Sequence, residues 1–298
     1  MPLTATLRTL AFTSLLAGWT LLALQAAAAA PEKITVVYAH EMEQADSRLE
    51  YPIKLLELAL KKAEVNFEMR ADVRAMPQSV AIKRLAAGLN VNVVWSMTTR
   101  EREEQLLPIR IPIDKGLFGY RIAFVSNKNS QLLAKIKTLQ DLHALTAGQG
   151  HDWPDTEILR ANNLKVNTTS SYLNLFPMMS AGRFDYFPRS VLEIWDEVAM
   201  PGSQDAVVDE SLLIYYPVAV YFFVNKNDKA LAQVLEKGLH RAIADGSFDA
   251  LYYERFGAVL KRARLHERTA ITLNNPFLPL ETPLSRKSLW LDVTTLPK

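Results

Sequence analysis

Ala147-Gly-Gln-Gly-His-Asp-Trp-Pro-Asp-Thr-Glu-Ile-Leu159 is the stretch around which the rest of the chain is read. A short run, Ala144-Leu-Thr146, precedes it and reads as a strand. Gly148 and Gly150 allow the backbone to turn sharply or to approach another group closely. Asp152 stands where a helix N-cap belongs, Pro154 suits the first turn, and Asp155 and Glu157 put negative charge at the positive end of the helix dipole. A strand, a glycine pair and a helix start together present free backbone N–H groups. A glycine pair alone is an ordinary strand-to-helix turn. The polar and aromatic load of His151, Asp152, Trp153 and Asp155 makes this one wall of a binding cleft, with Gly150 at its centre.

On either side of this stretch the pattern alternates between strand and helix. Thr156 to Asn162 reads as a helix, Lys165 to Asn167 as a strand, and Tyr172 to Ala181 as a helix closed by Gly182. Arg183 to Phe187 reads as a strand stopped by Pro188, Val191 to Ala199 as a helix, and Ala206 to Val208 as a strand. Ser170, Ser171, Tyr172, Phe187, Arg189 and Ser190 then fall at strand ends or helix starts. Two similar stretches flank this segment: Arg121-Ile-Ala-Phe-Val-Ser-Asn-Lys-Asn-Ser130 and Tyr221-Phe-Phe-Val-Asn-Lys-Asn-Asp228. Both are apolar strands running into an Asn-Lys-Asn turn and a helix. A chain that leaves one lobe by one strand and returns by another has a two-strand hinge.

Further out, Lys33 to Tyr38, Val65 to Ala71 and Val91 to Met97 read as strands separated by helices over 51–63 and 77–87. Strand, helix, strand, helix, strand begins a parallel α/β sheet. Ligands of such sheets bind beyond the carboxyl ends of the strands. Those ends are Ala39-His40-Glu41 and Ser96-Met97-Thr98-Thr99, the second followed by Arg100, Glu101 and Arg102. An arginine beside serine and threonine hydroxyls can grip a carboxylate at two points. After Asn225, helices are expected over 229–245 and 248–256. The residues from Leu273 on are rich in proline and read as an extended tail over the first lobe, anchored by Phe277, Leu278, Leu289 and Trp290.

Composition narrows the function. The chain has 298 residues, 49% of them hydrophobic and 22% charged, an ordinary globular balance. Its net charge of +2 gives no nucleic-acid footprint. The absence of cysteine excludes disulfides, thiolate metal sites and a cysteine nucleophile. His40, His143, His151, His240 and His266 show no metal-ligand spacing, and no phosphate-binding loop or nucleophile elbow is present. No metal and no cofactor is therefore expected. Residues 1–30 have the form of a secretory signal peptide: Arg8, an apolar run over 9–24, then alanines offering cleavage choices at 26–30. A soluble, unlipidated, monomeric periplasmic protein is the expectation.

The order of elements from about Ile34 to Phe256 resembles the amino-acid-type periplasmic solute-binding proteins (bacterial extracellular solute-binding family 3, type II topology). Ser96-Met97-Thr98-Thr99-Arg100-Glu101-Arg102 is similar to the family's Gly-Met-Thr-x-Thr-x-Glu-Arg stretch. Gly150-His151-Asp152 resembles its lobe-two glycine turn, and Gly182-Arg183-Phe184-Asp185 its Gly-Arg-x-Asp stretch. The resemblance implies an α/β fold of two Rossmann-like lobes, with lobe one at 31–125 plus 225–298, lobe two at 126–224, and the hinge at Val125 and Val224. It implies Arg102 as carboxylate anchor and Thr99 as its partner. Thr98, Ser96, His40, Glu41, Gly150, His151, Asp152, Trp153, Tyr172 and Arg189 complete the expected ligand site. Pro188, Arg189 and Ser190 stand where amino-acid binders carry an acid for the ligand amino group, a departure from the pattern.

Three classes of function remain open at this level. A solute-binding protein closes on a small anionic ligand for a membrane transporter or sensor. A dehydratase-like enzyme uses a cleft acid or base from His151, Asp152, Asp155 and Glu41. A partner-binding module carries its function on the lobe surfaces or the tail.

Overall fold

The computed structural model describes residues 33–39, 47–200 and 202–296; the expected leader, His40 and Glu41 lie outside them. In chain order the elements are β1 (Ile34–Tyr38), α1 (Ser47–Lys62), β2 (Phe67–Ala71), α2 (Gln78–Ala86), β3 (Val93–Met97), α3 (Arg100–Gln105), β4 (Leu106–Ile109) and β5 (Tyr120–Ser126). There follow α4 (Leu139–Leu142), β6 (Thr146–Gly150), α5 (Pro154–Ala161), β7 (Lys165–Thr169), α6 (Leu175–Ser180), β8 (Phe187–Ser190) and α7 (Ile194–Glu197). The chain ends with β9 (Ala206–Val208), β10 (Leu212–Tyr215), β11 (Val220–Asn225), α8 (Lys229–Ala244), α9 (Ser247–Ala263) and β12 (Thr269–Thr272).

Lobe one is built on a sheet of order β2-β1-β3-β11-β4. β1 runs parallel to β2 and β3, while β11 is antiparallel to β3 and β4. The apolar face of α1 covers this sheet with Leu55, Leu56, Ala59 and Leu60, each fully buried. At about 1.5–3 kcal/mol per fully buried leucine, this face is a principal source of the lobe's stability. α8 packs against α1 so closely that a Cβ at Gly238 would lie 1.8 Å from the Ala59 carbonyl oxygen.

Lobe two is built on β12-β10-β5-β8, with β9 also on β5, and on the parallel pair β6-β7. A bridge from Ala147 to Tyr186 joins the pair to the strand leading into β8. Phe124, Phe176, Phe184 and Phe187 fill its interior, and the apolar cluster they belong to runs on without a break to Val36 and Leu55 of lobe one.

Several sequence expectations change here. Gly148 and Gly150 do not form a turn: both lie within β6, in register with Asn167 and Thr169. They are small because rings sit on them. A Cβ would lie 2.3 Å from the Phe184 ring at Gly148 and 2.4 Å from the Trp153 indole at Gly150. The helix after them has Trp153 as N-cap residue, without a side-chain capping bond, so Asp152 is not the cap. Pro188 does not stop its strand but pairs with Ala123 inside it.

The lobe boundaries also shift. Val125 pairs with Val207 inside lobe two, and Val224 pairs with Val93 and Leu107 inside lobe one. The crossings therefore fall over 110–119 and 216–219, not at Val125 and Val224. The chain crosses again beyond them. α9 starts against α1, with Tyr252 and Phe256 around Tyr51, and leads into β12, which adds to the lobe-two sheet beside β10. The tail then returns: Arg100 donates to the Pro276 carbonyl, Leu291 N–H to the Lys115 carbonyl, and Trp290 stacks on Gly116. Of the expected anchors, Leu278 and Leu289 are buried, Trp290 is half-buried and Phe277 is exposed.

Candidate functional site

The carboxyl end of β3 carries the lobe-one half of the site. Ser96 is buried and its hydroxyl donates to Gln78 Oε1 at 2.9 Å. Thr98, also buried, donates to Glu103 Oε1 at 2.7 Å, and Glu103 in turn accepts from Arg110. Both hydroxyls are thus committed to holding the strand end. Thr99 caps α3, its hydroxyl accepting the Arg102 N–H at 3.2 Å. One turn later the Arg102 guanidinium folds back over the strand end. Nη1 donates to the Met97 carbonyl and Nη2 to Gln78 Oε1 at 3.4 Å. Among the described residues Arg102 forms no ion pair. Burial lowers its pKa, with the Glu101 carboxylate opposing, and arginine stays cationic throughout. A half-buried guanidinium held by neutral oxygens keeps its charge for an incoming anion. Gln78, at the start of α2, is a member of this half that periodicity alone does not reveal.

The lobe-two half is an aromatic layer over a buried charge network. Trp153 stacks on Phe187 at 6.3 Å between centroids and tilts against Tyr172 at 6.1 Å. Arg189 lies under these rings, its Cζ 4.6 Å from the Trp153 ring and 5.8 Å from Tyr172. The Arg189 side chain is not open to solvent. Its Nε and Nη2 donate to both oxygens of Glu197 at 2.6–3.0 Å, and Nη2 lies 3.0 Å from Glu193. Burial opposes the Arg189 charge, but Glu193 and Glu197 outweigh it and raise its pKa. Behind this pair Arg121, fully buried, meets Asp155 at 2.6 Å and Glu193 at 3.6 Å, and Tyr216 donates to Asp155. Ser190 is buried and caps the turn, its hydroxyl accepting from Leu192 N–H at 3.2 Å. Glu193, Glu197, Arg121 and Tyr216 are all unforeseen members. Arg189, Glu193 and Glu197 are spaced by four residues, but Arg189 lies in β8 and α7 begins only at Ile194, so helical spacing gives no signal for this pairing.

Two expected donors at the start of α5 are already used. His151 N–H bonds to the Thr169 carbonyl at 3.0 Å and Trp153 N–H to the Gly150 carbonyl at 3.2 Å. The start of α5 offers rings more than backbone N–H groups.

No protein-family model matches the sequence, and no curated protein matches it. Solved structures do match. The probable amino-acid ABC transporter extracellular-binding protein ytmK from Bacillus subtilis is 16% identical over 76% of this chain and 98% of its own, with a TM-score of 0.58. An ancestral arginine-binding protein bound to arginine is 18% identical over 76% of this chain and 100% of its own, TM-score 0.51. The ancestral amino acid-binding protein AncCDT-1, described as a precursor of cyclohexadienyl dehydratase, is 18% identical over 75% and 95%, TM-score 0.50.

The chain has the type II periplasmic-binding-protein fold. In an open α/β architecture of this kind the ligand lies beyond the carboxyl ends of the strands. For this periplasmic-binding-protein fold those ends include Met97 of β3 and Gly150 of β6, where Arg102 and Trp153 stand.

Of the acid–base candidates Glu41 lies outside the described residues, and the other three do not form one buried group. His151 and Asp152 are exposed and 3.9 Å apart, whereas Asp155 is buried against Arg121. A cavity of about 500 Å³ opens between α1, α9 and residues 192–196, with Tyr51, Lys54, Trp195 and Arg255 among its walls. None of the expected ligand residues lines it. Among the described residues no cluster of histidine and carboxylate side chains could hold a metal.

Proposed function

We propose that this protein is an exported solute-binding protein that holds a small carboxylate-bearing ligand between its two lobes. The observation that carries this reading is Arg102, a half-buried cation at the carboxyl end of β3 whose guanidinium is held by neutral oxygens and forms no ion pair among the described residues. A ligand carboxylate would complete its fork, and the Trp153 and Tyr172 rings would cover the rest of the ligand. The ligand favours a closed arrangement only by its differential affinity for it. Export is supported by the charged, apolar and alanine-rich order of residues 1–30. Among the described residues no helix is long and apolar enough to cross a membrane. Delivery to a membrane transporter is supported by the similarity to a probable extracellular-binding protein of an amino-acid ABC transporter.

Binding is favoured over turnover because, among the described residues, the acids expected for proton transfer are either exposed, as Asp152 is, or locked, as Asp155 is. The test is a thermal-shift screen of residues 31–298 against carboxylates, sugars, cations and phosphorylated compounds, with product analysis of every hit. Carboxylates should raise the melting temperature without being consumed; at a hundred times its dissociation constant a ligand adds about 2.7 kcal/mol. Stabilisation confined to sugars or cations would contradict the anion reading, and consumption of a hit would contradict the binding reading.

A further inference from the structure

We propose that Gln78 is a second ligand-holding residue of this site, its side-chain amide nitrogen donating to the same carboxylate that Arg102 grips. This inference rests on the carboxylate reading of Arg102 and adds the donor for the carboxylate's other oxygen. The orientation of the Gln78 amide follows from its neighbours. Arginine has donors and no acceptor, so the end of the amide that meets Arg102 Nη2 at 3.4 Å is the oxygen. The Ser96 hydroxyl donates to that same oxygen at 2.9 Å. Ser96 is buried within β3, so this bond ties the head of the glutamine to the strand end. With Oε1 committed to Ser96 and Arg102, the NH2 is the group left to bind, and among the described residues Nε2 has no hydrogen-bond partner. Two donors on Oε1 also polarise the amide and strengthen its N–H groups as donors.

The surroundings select what this NH2 meets. Gln78 is the first residue of α2 and is exposed, so its amide is open to a ligand. The first N–H groups of α2 have no partner within the helix, and its N-cap residue, Pro77, makes no side-chain capping bond. The positive end of the helix dipole therefore stands at the residue whose side chain reaches Arg102. Arg102 uses two of its N–H groups on Met97 and Gln78, and its fork carries more. A guanidinium, an amide NH2 and a helix start all favour an acceptor that carries negative charge. A planar carboxylate has two oxygens and can take Arg102 on one and Gln78 on the other. In this pair Arg102 supplies the charge, and Gln78 supplies direction without adding to it.

The experiment is calorimetric titration of wild type, Gln78→Ala, Gln78→Glu and Arg102→Ala with benzoate, 3-phenylpropionate, phenylalanine and succinate. Alongside it, the Gln78 side-chain NH2 signals are followed in nitrogen–proton correlation spectra, assigned by their loss in Gln78→Ala. For the acid that wild type binds most tightly, Arg102→Ala should weaken binding at least tenfold and Gln78→Ala at least fivefold. One Gln78 NH2 proton should move downfield on saturation, a change that a residue acting only through Arg102 would not show. Gln78→Glu keeps an acceptor for Ser96 and Arg102 but puts negative charge where the NH2 stood, so it should lose at least as much as Gln78→Ala. Dependence on Arg102 with a smaller loss in Gln78→Ala, with unmoved Gln78 NH2 signals, or with a folded Gln78→Glu protein that binds like wild type would overturn this inference and leave the carboxylate anchor standing. Binding of none of the four acids, or binding indifferent to Arg102→Ala, would overturn both.

Discussion

Asp114 shows how one buried group makes stability depend on pH. It lies in the first crossing, accepts N–H bonds from Gly116 at 3.0 Å and Phe118 at 2.9 Å, and is fully enclosed. Burial pushes its pKa up to about 6 from the usual 3.8, against those two bonds and the nearby Arg121 charge. Between these values the folded state keeps a proton that the unfolded chain has lost. The contribution of Asp114 to stability is therefore full below about pH 4 and is lost as pH rises through 6. Asp114→Asn, which keeps an acceptor oxygen, should gain on the wild type by about 3 kcal/mol between pH 4 and pH 7.5 in urea titrations. A difference that stays constant over that range would contradict this account. At this same scale the position of Arg102 just after the end of β3 was legible from its neighbours, two threonines and a serine. The Arg189 pairing was not legible, because the approach of Glu193 and Glu197 depends on the chain turning between β8 and α7. Reading Arg189 as a ligand residue followed from its sequence neighbourhood; its burial against two carboxylates instead gives it a supporting place beneath the rings.

Elements were legible where periodicity was strong. α1, α2, α8 and β1 to β3 fall close to their expected spans. The short strands β4, β10 and β12 were not anticipated, because four residues carry too little pattern and Pro108 and Pro217 interrupt or border it. The glycines of β6 were misread for a physical reason: small residues serve close packing as well as turns, and the ring that needs the space comes from elsewhere in the chain. The same logic makes a prediction in α8. Gly238 touches the α1 backbone, so Gly238→Ala must push two helices apart despite the better helix propensity of alanine. We expect a loss of about 2–3 kcal/mol. At about 2–4 °C per kcal/mol for a domain of this size, scanning calorimetry would read it easily. An unchanged or raised melting temperature would show that the α1–α8 contact is looser than described.

For the molecule as a whole, the two-lobe plan was legible in the alternation of strands and helices, whereas the crossings do not fall at the strands of the flanking Asn-Lys-Asn repeats and the extra ones were not foreseen. β12 and the tail make them through contacts that a proline-rich segment does not advertise. Asn162 bonds the Asn274 backbone at 2.7 and 2.9 Å, Asn275 donates to the Pro217 carbonyl, and Tyr120 donates to the Leu291 carbonyl at 3.2 Å. Together with the continuous apolar cluster, these ties restrain the lobes more than two strands would. Trp290→Ala should cost about 2–3 kcal/mol and raise amide hydrogen exchange over 110–119 and 283–291 while leaving β1 and β2 protected. Uniform loss of protection across the chain would argue that the tail supports the whole fold rather than the crossings.

The central claim is that a carboxylate completes the Arg102 fork at the end of β3. Calorimetric titration of wild-type protein, Arg102→Lys and Arg102→Ala with the strongest carboxylate from the screen tests it most directly. The account predicts a graded loss, with Arg102→Lys keeping the charge but not the two-point grip, and Arg102→Ala weakening binding at least tenfold. Equal affinity for all three proteins, each still folded, would contradict it and move the anion site elsewhere.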